Sequence, residues 1–167
     1  MRELPITEGW KVQDNNLLAC SEKHTLAVFD MLRRQKQQPE FTGGLEPARF
    51  QPWIAEALRE AKPRTIFLSY DNPDDFEPLQ RASRMLLKVG FRKLQRPLSC
   101  YVLIGGPRDS IEDAERRLRR VGELGLMPFA MLYRDSGPGR PSLAWRRFQR
   151  YWCRPAATRN LLRGGHI

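Results

Sequence analysis

The sequence is poor in the residues that build metal and nucleophile sites. It has three cysteines, Cys20, Cys100 and Cys153, and two histidines, His24 and His166. The cysteines are far apart and form no C-x-x-C pair, so their spacing supports neither a metal site nor a disulfide framework, and we expect reduced thiols. His24 is near a predicted helix start and His166 is next to the last residue. This placement suggests no Ser-His-Asp or Cys-His catalytic set.

Long apolar runs are also missing. No stretch approaches the roughly 20 apolar residues that a transmembrane helix needs, and residues 1–5 lack the apolar core of a signal peptide. We therefore expect a cytoplasmic protein with no membrane partner. The apolar fraction of 41% and the charged fraction of 29% are typical of a globular protein.

Acidic residues are fewer than basic ones, and the 19 Asp and Glu against 29 Lys and Arg give a formal net charge of +10. The excess lies mainly after residue 80, in the runs 116–120 and 146–150. In the first run the arginines alternate with Leu118 and Val121 at helical spacing, which is typical of a solvent-exposed helix face. A phosphate-binding track is the alternative, so nucleic acid is a possible partner that this pattern does not favour.

The chain is rich in short apolar runs that end in small or acidic polar residues. Five such runs occur, and helix-like stretches separate them. The runs and the residues that follow them are 10–13 with Asp14, Asn15 and Asn16; 40–41 with Thr42, Gly43, Gly44, Leu45 and Glu46; 65–69 with Tyr70, Asp71 and Asn72; 100–104 with Gly105, Gly106 and Pro107; and 127–132 with Tyr133, Arg134 and Asp135. The alternation predicts an α/β fold with a parallel sheet, whose near-continuous apolar strands would be covered on both faces.

Right-handed crossovers would bring all five polar ends to one edge of that sheet, where a ligand is expected. Five strands are too few to close an eight-stranded barrel, so an open arc is predicted. Between the strands, Ser21 and Ser110 are expected to cap helices, Pro47 to lie in the first turn of a helix, and Asp74 and Asp75 to open another.

The region after the last run has a different composition. A Gly-Pro-Gly-Arg-Pro linker at residues 137–141 would separate a βα unit at residues 1–136 from a helical tail at residues 142–167 that packs on it. Ser142 is expected to cap a helix that carries four aromatic residues, Trp145, Phe148, Tyr151 and Trp152. Burial of these rings is the simpler interpretation, and a base-stacking platform flanked by arginines is the alternative.

Four segments of the chain resemble the radical S-adenosylmethionine enzymes of bacteria and phages. They are residues 9–20 (GWKVQDNNLLAC), 41–46 (FTGGLE), 101–110 (YVLIGGPRDS) and 127–135 (MPFAMLYRD). Their order and spacing carry the resemblance over most of the chain. It implies a partial, incomplete TIM-like barrel of about five βα units. It also implies S-adenosylmethionine and a [4Fe-4S] cluster as cofactors, an unidentified substrate and an external electron donor.

The chain departs from this family at the cluster loop. Family members hold three irons with a C-x-x-x-C-x-x-C loop, and this sequence has none. We therefore expect a truncated domain in which Met1 is an internal or misplaced start, and which cannot generate a 5′-deoxyadenosyl radical by itself. Two alternatives stay open: a cofactor-free, degenerate barrel acting as a binding module, and a basic nucleic-acid-associated protein.

The resemblance also implies which residues form the site. Those implied for the cofactor all lie at strand ends: Asp14, Asn15, Asn16, Gly43, Gly44, Tyr70, Asp71, Gly105, Gly106 and Pro107. Within this set the first three would lie near the methionine amino group and ribose, Tyr70 and Asp71 near the ribose hydroxyls, and the last three near the adenine. Those implied for the substrate side are Glu46, Tyr133, Arg134 and Asp135. No residue is implied as catalytic and none as a metal ligand.

Overall fold

The computed structural model describes residues 3–14, 17–94, 97–134 and 141–164. Three residues implied for the site, Asn15, Asn16 and Asp135, lie outside the described residues, as does most of the 137–141 linker. Five strands form a single sheet in chain order, and every neighbouring pair is parallel. The predicted α/β class with a parallel sheet is confirmed.

The described elements alternate regularly along the chain. The strands are β1 (Lys11–Val12), β2 (Glu40–Leu45), β3 (Thr65–Tyr70), β4 (Leu98–Ile104) and β5 (Met127–Leu132). The helices are α1 (Glu22–Arg34), α2 (Pro52–Ala61), α3 (Phe76–Lys88), α4 (Ile111–Glu123), α5 (Leu143–Trp152) and α6 (Pro155–Leu162). Each of α1 to α4 joins one strand to the next parallel strand. Because right-handed crossovers that always step in the same direction return on the same side, these four helices lie on one face of the sheet.

The two faces of the sheet differ in burial. On β4, Leu98, Cys100, Val102 and Ile104 are at most 1% exposed, whereas the residues between them are partly exposed. The same alternation occurs along β3. The core therefore lies between the sheet and the helices, and the expectation that the strands are covered on both faces is wrong. The second face is apolar but partly open, because its aromatic rings cover one another instead of a second helical layer.

The predicted helix starts at three serines are confirmed. The hydroxyl oxygens of Ser21, Ser110 and Ser142 accept hydrogen bonds from the backbone N–H three residues later, at 3.2, 3.0 and 3.3 Å. Each bond satisfies one of the N–H groups that a helix start leaves without an intrahelical partner. Sequence-local capping chemistry is enough to place these ends.

The predicted start of α2 at Pro47 is wrong. Pro47 opens a separate 3-10 turn, Pro47–Arg49, and α2 begins at Pro52. Gln51 is extended, with φ −120° and ψ 156°. A residue before proline is sterically disfavoured in the helical region, so Pro52 stops a helix that starts at Pro47 from continuing.

Strand β2 is longer than the apolar run that predicts it. It continues from Glu40 to Leu45, so Gly43 and Gly44 are inside the strand rather than after it. The register shifts between Phe41, opposite Ile66, and Leu45, opposite Leu68. Gly44 has φ +87°, a conformation that suits glycine and lets the irregular strand resume pairing.

Helix α5 covers the free edge of β5. Gln149 Nε2 and Cys153 Sγ both donate to the carbonyl oxygen of Ala130, at 3.2 and 3.1 Å. Phe148 and Trp152 are 3% and 0% exposed on the side that faces the sheet. An unpaired strand edge is a site of unwanted association, and α5 supplies side-chain donors to it. Within the described ranges, no helix is both long and apolar enough to cross a membrane.

Candidate functional site

A cleft of about 430 Å³ opens at the carboxyl ends of β2 to β5. This is the sheet edge at which the sequence predicts a ligand. The cleft is lined by backbone and side chains from four strands and the turns after them: Gly43, Gly44, Glu46, Pro47, Ser69, Asp71, Asn72, Asp75, Tyr101, Leu103 and Met131. We refer to it as the β2–β5 cleft.

The floor of the β2–β5 cleft is the ring of Tyr101, and two aromatic rings outside the cleft lining pack against it. The ring of Tyr101 stacks on Phe67 with centroids 4.0 Å apart, and Phe129 meets both rings edge-on at 5.7 and 5.8 Å. The Tyr101 hydroxyl donates to the carbonyl oxygen of Thr42 at 3.2 Å, which ties β4 to β2. Burial raises the pKa of Tyr101, so the phenol stays protonated at neutral pH. The floor offers apolar surface held in a fixed orientation.

The wall of the cleft is acidic. Partial desolvation, and to a lesser degree the Asp75 carboxylate, raise the pKa of Asp71. Asp75 accepts a hydrogen bond from the backbone N–H of Asn72 at 2.8 Å, and Glu46 is paired with Arg49 at 2.7 Å. Among the residues that the structure describes, no lysine or arginine lines the cleft. A negative recess on a protein of formal charge +10 favours a cationic ligand, or a neutral one rich in hydrogen-bond donors.

An ion pair between Asp109 and Arg117 holds the backbone at the end of β4, next to the cleft residue Leu103. The carboxylate of Asp109 accepts from Arg117 at 2.7 and 3.0 Å and from the backbone N–H of Gly105 at 2.8 Å. Arg117 also donates to the carbonyl oxygen of Leu103, a cleft residue, at 3.0 Å. Gly105 has φ +77°, so the turn that these bonds hold suits glycine. The fork of Arg117 matches a carboxylate in two parallel bonds, which makes the arrangement rigid.

Four of the residues implied for the site line the β2–β5 cleft: Gly43, Gly44, Glu46 and Asp71. A Cβ on Gly43 would lie 2.6 Å from the carbonyl oxygen of Gln13 and 2.7 Å from the carbonyl carbon of Asp14. Glycine at position 43 therefore makes room for the backbone that follows β1. From the sequence we expect it to make room for a ligand instead. Asp14 is exposed beside this contact.

Tyr70 is not in the cleft. It is the last residue of β3 rather than the first after it, and its side chain is 2% exposed on the helix-covered face. Its ring lies 6.0 Å from that of Phe76. The reason is parity: Tyr70 is two and four residues from Leu68 and Ile66, so it points to the same face as they do.

The other described candidates also lie outside the cleft lining. They are Asp14, Gly105, Gly106, Pro107, Tyr133 and Arg134. A Cβ on Gly105 would contact Trp145 at 3.3 Å, so packing against α5 occupies that position. Gly106 has nothing within 4 Å of such an atom, and Pro107 and Arg134 are exposed. Leu103 of β4 therefore lines the cleft, whereas Gly105, Gly106 and Pro107 in the turn after β4 do not.

Seven lining residues are not among those implied for the site: Pro47, Ser69, Asn72, Asp75, Tyr101, Leu103 and Met131. Ser69 and Asp71 have one parity along β3, and Tyr101 and Leu103 have one parity along β4. That alternation is visible in the sequence. On β4 the sequence does not show which parity faces the helices, because Tyr101 and Leu103 are apolar enough to be core residues.

The described residues do not fit a [4Fe-4S] cluster. Cys100 is buried on the helix-covered face, and Cys153 is bonded to the β5 edge. Burial raises the pKa of all three thiols, to about 11 for Cys153, whereas a cluster needs thiolates. Across the part of the chain that the structure describes, no three His, Cys, Asp or Glu side chains are grouped so that they could hold a metal ion.

Comparison with known proteins identifies no relative. A scan against protein-family models, a search of curated proteins and a search of solved structures each return no match for the chain. Function is therefore inferred from the chemistry of the cleft and of the surface.

Proposed function

We propose that this chain is a partial-barrel domain of the radical S-adenosylmethionine type and that it binds S-adenosylmethionine in the β2–β5 cleft. One observation carries the proposal: a cleft at the carboxyl ends of parallel strands combines an aromatic floor with carboxylates. Open α/β sheets bind ligands at this edge. The motif resemblance names the ligand, and the geometry of the cleft is compatible with it.

The chemistry of the ligand suits the lining. S-adenosylmethionine carries positive charge on its sulfonium and ammonium groups and negative charge on its carboxylate, so it is a net cation, and it has hydroxyl donors on its ribose and a flat adenine. Asp71 and Asp75 can accept hydrogen bonds from the ammonium or the ribose, and Tyr101, Leu103 and Met131 offer apolar surface to the base. The cleft volume of about 430 Å³ is within the range of about 300–1,000 Å³ that small-molecule sites occupy.

The sheet supports the partial-barrel part of the proposal. Parallel strands in chain order, with α1 to α4 on one face, are the repeating part of a βα barrel. Five such strands leave the arc open. The aromatic face opposite the helices then corresponds to a barrel interior, which is normally filled by large side chains.

We assign cofactor binding to this chain, and no bond-breaking step, because its cysteines do not fit a cluster. The residues of the cleft would bind and orient the cofactor, with Asp71 as the main acceptor for its donors. Glu46, held by Arg49 at the end of β2, is proposed for the substrate side.

Isothermal titration with S-adenosylmethionine tests the proposal. We expect Asp71→Asn to weaken binding about tenfold, because it removes a charge-assisted hydrogen bond. Asp30→Asn is the matched control, since Asp30 is an exposed carboxylate on α1 that pairs with Arg33 away from the cleft. The control should bind like the unaltered protein. Equal affinity of Asp71→Asn and Asp30→Asn would remove the role of Asp71.

The pH dependence of the same titration follows from the raised pKa of Asp71. Protonation removes the negative charge that holds a cationic ligand, so affinity should fall as the pH is lowered, beginning above the ordinary aspartate value of 3.8. In Asp71→Asn this part of the pH dependence should be absent. A pH profile that is identical in both proteins would contradict the assignment.

The positions of the cysteines favour a second candidate, a cofactor-free barrel that acts as a binding module. The same titration separates the two. If the folded, unaltered protein shows no heat of binding with S-adenosylmethionine, the first proposal fails and the second is supported.

A further inference from the structure

We propose that the exposed face of α5 binds single-stranded nucleic acid. This surface, called here the arginine face, consists of Arg146, Arg147, Arg150 and Tyr151 on α5 and of Arg154 immediately after it. It lies outside the β2–β5 cleft, and the inference does not depend on the proposed cofactor.

Helix α5 has two opposite faces, and only one is used for packing. Phe148 and Trp152 are buried, and Trp145 is partly buried against Gly105. The residues of the arginine face are at the complementary helical positions and are all exposed. Core packing therefore accounts for three of the four aromatic residues of this helix. It does not account for Tyr151, whose side chain is 45% exposed.

The positive charge of the C-terminal helices is not balanced by any described carboxylate. Residues 141–164 include six arginines and no aspartate or glutamate. All six arginines are exposed, and none is in an ion pair with a described carboxylate. Uncompensated like charges repel one another, so the arrangement is complementary to an anion. Arginine is the cation whose planar fork matches a phosphate in two bonds.

The position of Tyr151 favours a single strand over a duplex. Arg147 lies four residues before Tyr151 and Arg154 lies three residues after it, so they are its neighbours on the helix surface, one towards each end. An exposed ring can stack on a base, and the surrounding arginines can contact the phosphates on either side of that base. In a duplex the faces of the bases are already stacked on each other, so Tyr151 would have no partner.

A membrane surface is a poorer match. A helix that lies in a lipid interface inserts an apolar face, but the apolar face of α5 is packed against β5. The large hydrophobic residues on the exposed side of α5 are Leu143 and Tyr151. The arginine face is better suited to nucleic acid, whose phosphates can contact its arginines and whose bases can stack on Tyr151.

Fluorescence anisotropy with labelled oligo-dT and oligo-U of about 20 nucleotides, longer than a typical site of about 4–16, tests the inference. The variant Arg147→Gln/Arg150→Gln/Arg154→Gln removes three charges from the arginine face. The control Arg59→Gln/Arg81→Gln/Arg84→Gln removes three exposed charges from α2 and α3. We expect the first to lose at least about tenfold in affinity and to reduce the slope of log affinity against log salt by about 2, because each phosphate contact contributes about 0.7. We expect the control to change affinity by no more than about twofold.

Tyr151 separates nucleic acid from other polyanions. We expect Tyr151→Ala to weaken binding about tenfold without changing the salt slope, and Tyr151→Phe to retain it, because stacking needs the ring and not the hydroxyl. Circular dichroism melts confirm that each variant is folded. The relative affinity for oligo-dT and oligo-U tells whether the strand is DNA or RNA.

Three results would overturn the inference. Equal losses of affinity in the two triple variants would show that binding depends on net charge and not on the arginine face. Full affinity of Tyr151→Ala would indicate a polyanion surface without base contact. Binding to vesicles of phosphatidylserine and phosphatidylcholine, with no binding to either oligonucleotide, would identify a membrane surface instead.

Discussion

Two arginine-rich segments of this protein have similar composition and opposite surroundings. On α4, Arg116, Arg117 and Arg119 each pair with a carboxylate, from Asp113, Asp109 and Glu115 respectively. On α5 and α6, no described carboxylate pairs with any arginine. The first segment therefore uses arginine to hold the fold together, whereas the second leaves its charge to the solvent. A run of arginines is interpretable only when the neighbouring carboxylates are known.

The segment on α4 is also less exposed than its pattern predicts. Arg117 and Arg119 have side chains that are 22% and 31% exposed, and both bond to backbone carbonyls of other elements. The expectation of a solvent-exposed face is right for Arg116 and Arg120 and wrong for Arg117 and Arg119. Long side chains can bury their stems while their charged ends find partners.

The largest expected effect comes from breaking the best-buried pair on α4. Arg117→Ala should lower the free energy of unfolding by about 3 kcal/mol, because it leaves the Asp109 carboxylate, which is 10% exposed, without its cation. Urea denaturation measures this loss. Arg116→Ala, one residue away and exposed, should cost less than about 1 kcal/mol. An equal loss of unfolding free energy in Arg117→Ala and Arg116→Ala would mean that burial does not make the Arg117 ion pair more stabilising.

A smaller effect is expected where α4 meets the C-terminal helices. Arg119 donates to the carbonyl oxygen of Leu161 at 2.5 Å and lies over the ring of Trp152 at 5.9 Å. Arg119→Ala should lower the free energy of unfolding by about 1–2 kcal/mol, since it removes the charged hydrogen bond to Leu161, the ion pair with Glu115 and the cation–π contact. Thermal unfolding checks it, and Arg119→Lys, which keeps the charge but not the fork, should recover only part of the loss. Full recovery would show that charge alone is needed.

The smallest effect on stability is expected on the arginine face. Arg150→Gln should change the free energy of unfolding by less than about 0.5 kcal/mol, because no described carboxylate loses a partner. Urea denaturation of this variant beside Arg117→Ala makes the comparison direct. A loss as large as that of Arg117→Ala would show that Arg150 has a structural role and would remove the contrast between the two segments.

Much of the fold is readable from local chemistry. Five apolar runs predict five strands, and Ser21, Ser110 and Ser142 mark helix starts because a capping bond needs only residues three positions apart. The prediction fails where a distant contact decides. Pro52 rather than Pro47 begins α2. Strand β2 continues past Gly43 to Leu45, which pairs with Leu68 of β3 beyond the register shift.

The candidate site is also predictable only in part from the sequence. The strand-end positions of Glu46 and Asp71 place them at the correct edge, and both line the cleft. Tyr70 has an equivalent position but the other parity, and it is buried beneath the helices. Position along a strand gives the edge, whereas the face depends on where the helices pack.

The sequence by itself determines the α/β class, the parallel direction of the strands, the edge that carries the polar ends, and the excess of positive charge. Periodicity, turn residues and composition are local properties, so no partner has to be known. Only the tertiary structure decides which strand face is covered, which carboxylates form the wall of the β2–β5 cleft, and which arginines are paired. Burial and ion pairing depend on residues that are far apart in the chain. The same is true of hydrogen bonds such as the one from the Ser83 hydroxyl to the carbonyl oxygen of Leu124, at 2.7 Å.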